Sequence, residues 1–134
     1  MRPLRILTAL ALAVIAALPF TATPASAAPP PWSYIHNSYA SEVGIGVVYE
    51  TSDGGPVYDA ILPVNRRTDR HLGWAQAEGY FIGEGYCANS YFQKDGVEHP
   101  YDLLATGRLY TPRNLTTTDT DGVARWLVHT FRCR

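Results

Sequence analysis

The first twenty-seven residues carry the pattern of a cleavable export leader, and that pattern decides how much chain is left to fold and in what surroundings it folds. Met1 to Arg5 holds two arginines, and Ile6 to Leu18 is an apolar run rich in alanine and leucine. Pro19 breaks the run ahead of a small-residue stretch that ends Ala25-Ser26-Ala27. The run is shorter than the roughly 18–20 residues a membrane-spanning helix needs, and no second apolar stretch follows. Cleavage is expected after Ala27, because cutting after Ala28 would set Pro29 directly behind the scissile bond. The expected organisation is a leader over 1–27, a proline-rich arm over 28–41 and a β domain over 42–134. The mature protein is expected to be secreted, extracellular and free of the membrane.

Removing the leader leaves one domain's length of chain, 107 residues from Ala28 to Arg134. It also removes two of the eleven basic residues, so nine remain against twelve acidic ones and the formal charge moves from −1 to −3. A nucleic-acid footprint needs a clustered basic surplus, and none is present. Lys94 is the one lysine among arginines, a bias expected of a GC-rich, bacterial genome.

The two cysteines, Cys87 and Cys133, both fall after the leader. An exported chain enters a compartment that oxidises thiols, so the two are expected to pair. A catalytic or metal-binding use would call for a nearby partner, such as a CxxC spacing, and there is none. Closing a loop of about 47 residues is worth about 4 kcal/mol in the chain-entropy model.

Periodicity points to an all-β fold. In Glu42 to Thr51 the residues Val43, Ile45, Val47 and Tyr49 share one face, the period of two of a half-buried strand. Ser52-Asp53-Gly54-Gly55 follows as a turn, and Pro56 to Leu62 as the returning strand. Thr68 or Asp69 is placed to cap a short helix over Leu72 to Ala77, stopped by Gly79. Tyr80 to Gln93 has strand character around Gly83 and Gly85, which mark a bend or bulge. Lys94-Asp95-Gly96 is a second turn, and Pro100 reduces Val97 to Leu104 to an edge strand or loop. Gly107 to Thr111 reads as a short strand and Pro112 to Gly122 as a loop. Val123 to Cys133 has apolar residues on both faces, as a central strand does. With about six or seven short strands, the expected architecture is a single-domain β-sandwich or small barrel tied by one disulfide.

Chemistry-bearing residues are sparse. Arg66, Arg67, Arg70 and His71, followed by Trp74, form the densest group. Guanidiniums offer forked donors and an indole a flat stacking face, so this stretch is the candidate ligand contact. Its quieter reading is a solvated loop in which Asp69 neutralises an arginine and Trp74 anchors to the core. Glu84, between two glycines, and His129 are the candidate acid and base of a small secreted hydrolase. A nuclease that borrows an arginine from 66–70 is its most concrete form. His36, His71, His99 and His129 stand singly, so neither a metal nor a cofactor is expected. Fifteen aromatic residues follow the leader, more than one small core can bury, which leaves tyrosine or tryptophan for the surface. The leading expectation is therefore a non-catalytic secreted binding domain for a carbohydrate, cell-wall or protein partner. The hydrolase is the alternative, and a secreted inhibitor or toxin would leave no residue signature.

Overall fold

The computed structural model describes residues 29–52 and 54–134; the expected leader lies outside them. Among the described residues nine strands form two sheets, accompanied by one helical turn. They are β1 (Ser33–Asn37), β2 (Ile45–Val48), β3 (Ala60–Leu62), β4 (Arg66–Arg67), α1 (Thr68–His71), β5 (Gly79–Ile82), β6 (Tyr86–Lys94), β7 (Val97–Pro100), β8 (Gly107–Tyr110) and β9 (Ala124–Arg132). One sheet runs β4-β1-β9-β6-β7 and the other β3-β2-β5-β8. All pairings are antiparallel except that of β1 with β9.

The long last strand is central, between β1 and β6. Ala124, Trp126, Val128 and Thr130 point inward, and Arg125, Leu127, His129 and Phe131 lie on the outer face. Inward residues of both sheets meet in one core: Ile35, Ala88, Trp126 and Val128 from the first, Ile45, Val47, Leu62, Tyr80 and Ile82 from the second. Side chains of alternate register positions face one way along a strand, so each sheet contributes every second residue.

The stretch expected as an arm contains β1. Its alternation is hidden because two of the three inward positions are polar: Ser33, Ile35 and Asn37 are buried while Tyr34 and His36 face outward. These polar groups fasten one layer to the other. The Asn37 amide donates to the carbonyls of Val43 and Leu62, each at 3.1 Å, and the Ser33 hydroxyl donates to Ala77 O at 3.1 Å. A buried polar side chain is tolerable where such bonds replace its water.

The helix expected over Leu72 to Ala77 is absent, and a single turn, α1, stands before it. The Thr68 hydroxyl does not cap; it accepts from the β1 amide of Ile35 at 3.1 Å. Gly73, at φ +70°, then turns the chain out of the helical region. The β2–β3 pair forms as expected, though across a long loop and not a tight turn. Asp95 and Gly96 adopt φ of 52° and 75°, the double positive that suits a two-residue hairpin joining β6 to β7. At Gly83-Glu84-Gly85-Tyr86 the chain crosses between sheets through a tight turn closed by Tyr86 N donating to Gly83 O at 3.2 Å. Gly85 at φ +81° supplies the conformation that such a turn needs at its third residue.

Cys87 and Cys133 form the disulfide, with Cα atoms 5.1 Å apart. The link ties the start of β6 to the residue after β9, beside a bond from Cys133 N to Gly85 O. Among the described residues no helix is long and apolar enough to cross a membrane.

Candidate ligand-binding cleft

Three segments far apart in sequence meet where the two sheets approach at the start of β1. Trp32 precedes β1 and Ser33 opens it, Gln76, Ala77 and Glu78 come from the lead-in to β5, and Tyr110, Thr111 and Arg113 from the end of β8 and the residues after it. Together they line a cleft of about 290 Å³. Its size is near the lower end of the ~300–1,000 Å³ range of small-ligand sites.

The floor is fixed by a cluster of hydrogen bonds on Ala77. Its carbonyl accepts from the Ser33 hydroxyl at 3.1 Å and from the Thr111 hydroxyl at 3.2 Å, and its amide donates to Ser33 Oγ at 2.9 Å. Trp32 is held by its backbone on both sides: its amide donates to Ala75 O at 2.7 Å, and its carbonyl accepts from Ala124 N at 3.0 Å. The indole itself is left out of the core, 59% exposed, and the Tyr110 ring is 54% exposed. The fixed backbone leaves mainly side-chain rotation to be lost when a ligand meets these two flat amphipathic rings.

The polar groups at the cleft are equally placed. Glu78 has one carboxylate oxygen, Oε2, accepting from the Thr51 amide and hydroxyl at 2.9 and 2.8 Å. The Arg113 guanidinium lies 5.4 Å from the Trp32 ring centroid and donates to Gly122 O at 3.3 Å. The ion pairs found among the described residues involve Arg67 and Arg125, not Arg113 or Glu78. One cation and one anion leave the cleft without net charge.

The residues singled out from the sequence are distributed differently. Arg66, Arg70 and His71 are exposed. Arg67 makes a two-point contact with Asp69, at 3.0 and 2.7 Å, and lies over the Tyr34 ring, 3.6 Å from its centroid. The quieter reading of this stretch describes these contacts, with Asp69 engaging an arginine and Trp74 packed against the core. Four cavities among the described residues are lined by none of Arg66, Arg67, Arg70 and His71, whereas Trp74 lines one of them.

The groups of the hydrolase alternative do not converge. Glu84 is exposed in the β5–β6 turn. His129 pairs with Asn89 on the outer face of β9, its ring 6.0 Å from Phe131. Arg66 and Arg67 sit two strands away from β9, roughly 10 Å across the sheet. Neither Glu84 nor His129 lines one of those four cavities. No group of three or more histidine, cysteine, aspartate or glutamate side chains placed to hold a metal occurs among the described residues.

Sequence reasoning missed Trp32, Glu78, Tyr110 and Arg113 as one site. The only available signal was the surplus of aromatics, which says that some rings reach the surface but not which ones meet. Comparison with protein-family models, curated proteins and solved structures finds no match for the chain.

Proposed function

We propose that this protein is a secreted, non-catalytic binding module that holds a neutral carbohydrate in the Trp32–Tyr110 cleft. The observation that carries this reading is the pairing of two exposed, backbone-anchored aromatic rings with a carboxylate, an amide and a guanidinium around one polar cleft. Sugar rings offer an apolar C–H face for stacking and hydroxyls that both donate and accept. Trp32 and Tyr110 suit the first, and Glu78, Gln76 and Arg113 the second. The lack of net charge in the cleft, with a mature chain of −3, favours a neutral ligand over a polyanion. An exported location accords with the leader pattern and the disulfide. The hydrolase alternative has no gathered set of catalytic groups to support it.

The test is depletion from solution by insoluble cellulose, chitin and peptidoglycan, with tryptophan fluorescence titration against soluble fragments of whichever binds. Trp32→Ala and Tyr110→Ala remove largely exposed rings, so both variants are expected to fold. Each is expected to weaken binding about tenfold, the scale of one lost stacking contact. Retention on a polysaccharide that is unchanged by both substitutions would refute the assignment of the cleft.

A further inference from the structure

A second cavity continues along the same wall. It encloses about 400 Å³ and is lined by Pro29, Pro30, Pro31, Asp69, Gly73, Trp74 and Ala75. The two cavities share no lining residue but meet at consecutive ones: Pro31 is followed by Trp32, and Ala75 by Gln76. The bond from Trp32 N to Ala75 O, 2.7 Å, joins the two strips of chain at this boundary. Residues 73–75 thus border the second cavity and 76–78 the first. An extended chain advances at most about 3.6 Å per residue, so Trp74 and Ala77 are no more than about 11 Å apart.

The chemistry of the second cavity repeats that of the first in a drier form. Trp74 is steadied edge-on by Tyr49, ring centroids 5.4 Å apart. Three consecutive prolines add apolar lining of low conformational freedom. Asp69 brings acceptors: Arg67 engages both of its oxygens from one side. A carboxylate oxygen has a further lone pair beyond one such bond, which leaves capacity for a hydroxyl donor.

From this continuity we infer that the two cavities are neighbouring subsites for one linear oligosaccharide, which crosses the Trp32–Ala75 boundary and places successive rings at Trp74 and at Trp32–Tyr110. The inference rests on the carbohydrate reading of the cleft and adds to it that the ligand is a chain and not a single sugar or a chain end. A monosaccharide would fill only the first cavity and forgo the Trp74 contacts.

The experiment is calorimetric titration of the mature protein with cello-oligosaccharides and chito-oligosaccharides of one to six units. Affinity is expected to rise about tenfold once the ligand is long enough to reach Trp74, the scale of one further stacked ring, and then to level off. Trp74→Ala should abolish that rise and leave the affinity for the shortest binding ligand unchanged. Because Trp74 also packs on the core, Ala75→Arg serves as the second variant; it crowds the second cavity from an exposed position and should have the same effect. Affinity independent of length, or loss of short and long ligands alike in a folded Ala75→Arg variant, overturns the two-subsite inference and leaves the single-cleft reading in place. Absence of binding at every length in both series overturns both.

Discussion

Replacing both cysteines by alanine gives the sharpest test of what holds this fold together. The link spans 46 positions and joins the start of β6 to the residue after β9, two strands that are already paired from Tyr86–Arg132 to Phe92–Trp126. The folded state therefore keeps its register without the disulfide. Cys133 is exposed and Cys87 buried, so the native state loses little beyond one sulfur contact. The main loss is in the unfolded chain, which regains the freedom of a loop of about 47 residues, worth about 4 kcal/mol. A typical small domain has only about 5–15 kcal/mol in total. For a chain of this size 1 kcal/mol corresponds to about 4–8 °C, so the melting temperature should fall by about 15–30 °C. The assay is thermal and urea unfolding of the oxidised protein and the Cys87→Ala/Cys133→Ala variant, followed by circular dichroism. The urea slope should rise in the variant, because its unfolded chain exposes more surface. A fall of less than about 5 °C with an unchanged slope would refute the loop-entropy argument, leaving the β6–β9 ladder as the dominant constraint.

Two further outcomes follow from the second sheet. A Cβ on Gly79 would lie 2.6 Å from the backbone oxygen of Leu109, whereas one on Gly83 meets nothing within 4 Å. Gly79→Ala should therefore destabilise by about 1–3 kcal/mol by pushing β8 away, and Gly83→Ala should be neutral or slightly stabilising. Equal urea midpoints for the two variants would contradict the close β5–β8 approach. Burial pushes the Tyr80 hydroxyl from its ordinary 10.0 to about 12. Folding thus holds this proton more tightly; the associated stability is complete below pH 10 and is lost as the pH rises towards 12. Tyr80→Phe should flatten the decline in urea midpoint over that interval, and an undiminished alkaline decline in the variant would contradict it.

The all-β, disulfide-tied character was legible because it rests on local or compulsory signals. Apolar residues on both faces of Val123 to Cys133 read as a central strand, and the strand lies between β1 and β6. Asp95-Gly96 encodes its hairpin in two residues, and two cysteines allow one pairing. β1 was not legible, because Ser33 and Asn37 occupy core positions where a period-two reading looks for apolar residues. Their burial makes sense only with acceptors at Ala77, Val43 and Leu62, which the sequence separates from them by 6 to 44 positions. The helix after Thr68 failed for the related reason that the hydroxyl expected as a cap is engaged by Ile35, a tertiary partner.

The same physics accounts for where the cleft lies and why it was harder to see than the strands. Its rings and polar groups come from the margins of β1, β5 and β8, so no single segment carries a recognisable motif. The bonds that shape it are made by backbone groups and by the hydroxyls of Ser33 and Thr111, while Trp32 and Tyr110 extend beyond the core. Folding and binding consequently draw on different atoms of the same short stretches. Removing the Ser33 hydroxyl disturbs the floor and, through Ala77, both walls; removing the Trp32 indole removes a ligand surface and leaves the backbone bonds to Ala75 and Ala124 intact. A Ser33→Ala variant should therefore lose stability and binding together, whereas Trp32→Ala should lose binding at nearly constant stability. If the two substitutions produced the same ratio of unfolding to binding loss, the cleft would be a by-product of the packing and not a surface separable from it.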